Sequence, residues 1–167
     1  MFGKKRERIE PQEGQESVWD YPRPPRLEAF TGEIEIIFDD VTIAKTKNSY
    51  RVLETSHPPV YYLSPEDIAT EYLIPVEGSS FCEWKGVANY YDLEVKGHHL
   101  SKVGWYYPQP TEHFATIVNF VAFYAGLMSA CYVDGELVTP QPGQFYGGWI
   151  TKNIVGPFKG EAGSWGW

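Results

Sequence analysis

An antiparallel, mainly β fold is what this sequence predicts, and three observations carry the prediction. Aromatic residues fill 16% of the 167 positions and stand among 16 Gly and 13 Pro, a mixture that suits short strands and tight turns better than helices. Apolar and polar residues alternate in "EIEIIF" at 33–38, the pattern of a strand with one buried face. Asp134-Gly135 separates two apolar runs, "SACYV" and "ELV", and is the kind of pair that a two-residue hairpin turn selects.

The elements follow in order. Mixed charges with Pro and Gln predict a flexible arm over residues 1–17, and the two aromatics of "VWDYPRPP" predict docking from residue 18 onward. Ile34, Ile36 and Phe38 share one strand face, with Glu33, Glu35 and Ile37 opposite. Asp39-Asp40 makes a turn, and Val41 with Ile43 begins the return strand. "SYRVLET" (49–55) and "VYYL" (60–63) are further strands, divided by His57-Pro58-Pro59. One short helix is predicted near 65–73: Ser64 is an N-cap, Pro65 takes the first helical position, and Asp67 stands where a capping box wants an acid. After a Gly-Ser-Ser turn, residues 81–95 read as one strand, paired across "KGHHLS" with "KVGWYYP".

Phe114 to Val133 lacks charge and is as long as a bilayer crossing. Thr116, Asn119 and Ser129 interrupt it and Ala125-Gly126 offers a break, so two buried strands are the preferred reading. The main domain is drawn over 18–142. Residues 143–167 are dense in Gly and aromatics, a composition suited to wrapping the same domain, with Gly permitting close backbone approach.

Charge and cysteine usage exclude several functions. A net charge of −8 argues against a nucleic-acid groove, while leaving a local basic pocket open. Two Cys and four His without a C-x-x-C pair predict neither a metal nor any other cofactor. "MFGKKRERIEPQEGQES" is basic with no apolar run behind it, so the expectation is a cytoplasmic protein with reduced thiols and no membrane partner.

Chemistry concentrates in "FCEWKGVANYY" at 81–91. In a single strand, Cys82, Trp84, Ala88 and Tyr90 share one face, and Glu83, Lys85, Val87, Asn89 and Tyr91 the other. Lys85 then activates the Cys82 thiol only through a bulge, with Gly86 the place for it. Cys82 is thus better read as a packed residue than a nucleophile. Lys85 reads equally as a salt-bridge partner of Glu54 or Glu94 and as a charge at the mouth of a cleft. Trp84, Trp105, Tyr107, Trp149 and Phe158 read by default as core, but six Trp exceed what a core this size needs, so Trp84, Tyr91, Trp105, Tyr107 and Trp149 join Lys85 as candidates to line a ligand site. Lys159 joins them from "GPFKGEAG", a Gly-rich turn able to form an anion nest.

The order "VWDYPRPPRLE … RVLET … YYLSPEDI … FCEWKGVANYY … GWYYPQP … VAFY … VDGELV" closely resembles the bacterial domain-of-unknown-function family 427. "C-x-[WYF]-K-G-x-A-x-Y" is the most specific feature of that resemblance. The segment "FYGGWITKNIVGPFKG…GW" resembles the C-terminal extension of the family's longer members. The resemblance implies a β-tent fold, with antiparallel sheets meeting at an angle around a cleft. Relatives of that fold pin their sheets with zinc on two C-x-x-C pairs, which this chain lacks, so packing and the C-terminal wrap must serve instead. The family also carries a provisional nucleotidyltransferase label. Asp39-Asp40, adjacent rather than at D-x-D spacing, do not support it.

Together these readings point to a module that binds a small molecule or a protein in an aromatic-lined cleft. The alternatives are an enzyme using Cys82 or Lys85 and a nucleotide-handling enzyme of the nucleotidyltransferase type.

Overall fold

Strands dominate the computed structural model, which describes residues 7–143 and 146–167. The first six positions of the predicted arm and positions 144 and 145 of the predicted wrap lie outside the described residues. The strands are β1 (Glu16–Ser17), β2 (Arg26–Phe30), β3 (Ile34–Phe38), β4 (Val41–Thr46), β5 (Ser49–Leu53), β6 (Val60–Leu63), β7 (Leu73–Cys82) and β8 (Gly86–Val95). There follow β9 (His98–Tyr106), β10 (Val121–Phe123), β11 (Ala130–Val133), β12 (Glu136–Leu137), β13 (Thr139–Pro140), β14 (Trp149–Ile150) and β15 (Ile154–Val155). A seven-stranded sheet runs β2-β5-β6-β10-β9-β8-β7, and a four-stranded one β12-β11-β3-β4. Both are antiparallel. The fold is mainly β in a β-tent-like arrangement, as the sequence predicted.

Alternation along the strands divides the rings between two cores. Tyr61 and Leu63 of β6 join Val121 and Phe123 of β10 in the main core, completed by Ile34, Ile36 and Ile43 of the four-stranded sheet. The intervening Tyr62 and Ala122 belong to a second cluster, with Val52, Ala88, Tyr107, Phe114 and Ile117. Both predicted hairpin turns form. Asp39 and Asp40 have φ of 50° and 63°, and Asp134 and Gly135 have 49° and 80°, the two left-handed residues of a type I′ turn.

Three local readings change. The helical segment near 65–73 is two 3-10 turns, Pro65–Asp67 and Thr70–Tyr72. Between them Ile68 turns extended, is buried in the main core and bridges to Ala44. Asp67 spends its carboxylate on the Thr46 hydroxyl at 2.6 Å. Residues 81–95 are not one strand: the chain reverses over Glu83–Lys85, setting Cys82 opposite Gly86. Gly86 has φ of 110°, and a Cβ there would come within 3.2 Å of the Gln109 carbonyl oxygen. Its glycine marks the return of a hairpin. The predicted Gly-Ser-Ser turn lies inside β7, where the register slips between Val76 and Ser79. Residues 114–133 hold β10, a 3-10 turn at Ala125–Leu127 and β11, entered from a 3-10 segment at Glu112–Ile117. Among the described residues, no helix is long and apolar enough to cross a membrane.

The C-terminal residues enter the core directly. Trp149 is 1% exposed; its indole N–H donates to the Phe123 carbonyl at 3.1 Å and its backbone N–H to the Pro59 carbonyl at 2.8 Å. β15 pairs in parallel with β1, and Ile154 packs with Val18, Tyr21 and Leu53 in a third cluster. Beside it, the Arg51 side chain, 9% exposed, binds Glu28 Oε1 at 2.6 Å and Glu16 Oε1 at 3.0 Å. Burial opposes the guanidinium charge, but hydrogen bonds to Glu16 and Glu28 outweigh it and raise the pKa. Trp149→Ala is expected to cost about 3–5 kcal/mol, and truncation after Pro142 at least as much. Urea unfolding measures both, and an unchanged midpoint for the truncated chain would detach residues 143–167 from the cooperative unit.

Candidate functional site

Cross-strand register decides which rings reach a common surface. Tyr90 of β8 opposes Trp105 of β9, whereas Tyr91 opposes Gly104. Tyr91 therefore points the other way, stacking on Tyr106 at 4.4 Å against the main core. Trp105 meets the Tyr124 ring at 4.7 Å, and its indole N–H donates to the Tyr62 hydroxyl at 3.2 Å.

Across Trp105 runs the returning C-terminal backbone. A Cβ on Gly147 would fall 2.2 Å from the Trp105 ring, and one on Gly148 would fall 2.5 Å from Gln141 Oε1 and 2.8 Å from the Pro58 carbonyl. Only glycine allows this approach. Gln141, 5% exposed, clasps the crossing. Its Oε1 accepts from Gly148 N at 3.0 Å, its Nε2 donates to the Lys159 carbonyl at 2.8 Å, and its own N–H donates to the Gly148 carbonyl at 3.0 Å.

The result is a recess of about 560 Å³ lined by Tyr90, Lys102, Tyr124, Leu127, Pro140 and Tyr146, within the size range of small-molecule sites. A smaller one of about 150 Å³ adjoins it, lined by Glu54, His57, Lys85 and Val60, and the two share Gln141 and Tyr146.

Lys102 is fixed through its backbone. Its N–H donates to Asp92 Oδ1 at 2.8 Å, while Asp92 Oδ2 lies 2.7 Å from His99 Nε2. Those partners, the Lys102 N–H first, hold the Asp92 carboxyl below the usual aspartate range despite its burial. The Lys102 ammonium sits 5.3 Å from the Tyr90 ring centroid.

Lys85 is placed by the tip of the β7–β8 hairpin. Thr111 pins that tip, its hydroxyl donating to the Trp84 carbonyl at 2.6 Å and its N–H to the Lys85 carbonyl at 3.0 Å. The Lys85 ammonium lies 5.9 Å from the Tyr107 ring centroid. Neither expected salt bridge of Lys85 forms: Glu54 pairs with Arg23 at 3.3 Å, and Glu94 approaches His99 at 3.8 Å. His57 lies 5.8 Å from the Tyr146 ring and 3.9 Å from Glu54. Burial pushes its pKa down, Glu54 pulls it up, and Arg23, Lys159 and Lys85 push it down again. The net lowering leaves a neutral imidazole at neutral pH.

The residues singled out in sequence thus divide. Lys85 lines the smaller recess and Trp105 backs the glycine crossing. Cys82 and Trp84 pack into the second cluster around Tyr62 and Tyr107, and Tyr107 is 4% exposed. Trp149 belongs to the main core. Lys159 donates through Nζ to the Ser164 carbonyl at 3.2 Å and adds its charge near His57. The Gly-rich turn fills its own nest, with Phe158 N–H bonded to the Glu161 carboxylate and Gly160 N–H to Ser164 Oγ. Sequence reading passed over Tyr90, Lys102, Tyr124, Gln141 and Tyr146. Tyr90 comes opposite Trp105 only through the register slip between Tyr91 and Leu93, which the hairpin turn alone does not foretell.

The family model described as domain of unknown function (DUF427) matches residues 26–134. The chain belongs to that family. No curated protein matches it. The DUF427 match takes in Glu54, His57, Lys85, Tyr90, Lys102, Trp105 and Tyr124, while Pro140, Gln141 and Tyr146–Gly148 lie beyond it. Both recesses therefore have one wall inside the matched region and one outside.

Asp92→Ala is expected to lower stability by about 1–3 kcal/mol at neutral pH, the cost of orphaning the Lys102 N–H. Because the folded carboxyl titrates below its unfolded value, its contribution is present above that value, about 3.9, and disappears as pH falls through the folded pKa. The variant should consequently lose less stability than wild type on acidification from about pH 5 to pH 2. Equal acid slopes in urea titrations would show that Asp92 carries no such linkage.

Proposed function

We propose that the protein is a binding module whose aromatic-lined recess takes a small organic molecule. The observation supporting this most strongly is the recess of about 560 Å³ walled by Tyr90, Tyr124 and Tyr146. Such a concave, largely apolar surface with a few polar groups is where ligands are usually held. Lys85 lines the adjoining smaller recess, and Trp105 stands behind the glycine crossing that walls both. In this reading residues 18–142 are the β-tent domain, residues 1–17 an arm, and residues 143–167 the C-terminal extension of the family's longer members, supplying the second wall. The setting is cytoplasmic.

Binding is favoured over catalysis by Cys82 because the thiol packs among Tyr62, Tyr107 and Trp84, not beside the imidazole of His57. Ligand-observed NMR with a fragment library that includes nucleotides and Mg²⁺ tests the proposal. Gly126→Trp serves as the blocked form, since a Cβ there meets nothing nearer than Pro140 at 3.7 Å. Fragments should bind wild type and lose binding in Gly126→Trp. Binders unaffected by the substitution, or none at all, would overturn the reading, and hits confined to nucleotides with Mg²⁺ would favour the nucleotide-handling alternative.

A further inference from the structure

The charge around the recess runs against the charge of the chain. Acidic residues outnumber basic ones by 22 to 14, yet the larger recess is lined by Lys102 and, among the described residues, by no carboxylate. In the smaller recess the lining acid, Glu54, is already engaged by Arg23 at 3.3 Å. Among the described residues neither Lys85 nor Lys102 has a carboxylate oxygen within 4.0 Å of its ammonium. On an acidic protein, two lysines facing adjoining hollows without such partners make a local positive field.

The tyrosines alone would suit either a flat ring or a cation held over ring faces. Lys102 decides between them. Its ammonium lies 5.3 Å from the Tyr90 centroid, so one tyrosine of the recess already carries the protein's own cation over its ring. A second positive charge would be repelled there, and an oxyanion would be drawn in. Lys102 also stands on a fixed base, because Asp92 accepts from its backbone N–H while its side chain lines the recess.

We propose, building on the reading of the recess as a ligand site, that its ligand is a flat aromatic oxyanion. The ring lies among Tyr90, Tyr124 and Tyr146, and a carboxylate or phosphate ester meets the Lys102 ammonium. The larger recess, at about 560 Å³, has room for a two-ring body. A charge-assisted contact of this kind distinguishes an anion from its neutral isostere by about tenfold in affinity.

Isothermal titration with 2-naphthoate, 2-naphthyl phosphate, 2-naphthamide and 2-naphthylmethylammonium tests this on the full chain. Wild type should bind the naphthoate or the phosphate about tenfold more tightly than the amide, with the preference shrinking as salt rises. Whichever anion binds more tightly identifies the headgroup. Lys102→Met should erase the preference, Lys102→Arg should keep it, and Lys45→Met, at an exposed lysine of the four-stranded sheet that lines neither recess, should leave it intact. Equal affinity for anions and amide, tighter binding of the ammonium, or a preference that survives in Lys102→Met overturns the assignment while leaving a ligand recess standing. Failure of all four compounds to bind wild type overturns both.

Discussion

Two glycines laid across an indole set the shape of everything around the recess. Gly147 passes so close to Trp105 that any side chain at that position would overlap the ring, and Gly148 is held against Pro58 by the Gln141 amide. The path of the backbone is thereby fixed for the residue that follows. Trp149 drops into the main core beside Tyr61 and hydrogen-bonds the Phe123 carbonyl. Apolar packing between the seven- and four-stranded sheets, completed by this tryptophan, joins the structure. The crossing that anchors the core also raises a wall over Trp105, so fold stability and recess shape depend on the same contacts.

A strand's period of two then sorts a large stock of rings into separate duties. Tyr61 and Tyr62 are neighbours in sequence but belong to different cores. Tyr90 and Tyr91 are likewise neighbours, yet Tyr90 lines the recess and Tyr91 stacks on Tyr106. The charged groups follow a similar logic. Arg51 is buried with two carboxylates and serves the structure, whereas Lys85 and Lys102 line open hollows, each with its ammonium near a tyrosine ring.

Features governed by local chemistry were legible in the sequence. The alternation at 33–38 and the turns at Asp39-Asp40 and Asp134-Gly135 follow from side-chain period and left-handed φ, which neighbouring residues determine. The segment near 65–73 announced its start correctly through Ser64 and Pro65, but burial of Ile68 in the distant main core interrupted it. Reading 81–95 as one strand failed for a related reason. Gly86 could signal a bulge or a reversal, and the deciding contact is with Gln109–Thr111, more than twenty residues away. Lys85, which lines the smaller recess, and Trp105, which backs the glycine crossing, stood out in the sequence by residue type. Tyr124 and Tyr146 were not, because nothing local shows that the chain returns to lay Gly147 on Trp105. Lys102 needed the Asp92 contact, which exists only once the β8–β9 register slips between Tyr91 and Leu93.

Amide hydrogen exchange at Gly148 and Trp149 tests the glycine crossing most directly, since local opening and global unfolding give different protection there. Gly148 N–H is bonded to the Gln141 side chain and Trp149 N–H to the Pro59 carbonyl. If the crossing anchors the core, both amides and the Trp149 indole N–H will exchange only with global unfolding, at the same free energy as amides of β10. Exchange of these protons through a low-energy local opening, with β10 still protected, would contradict the account.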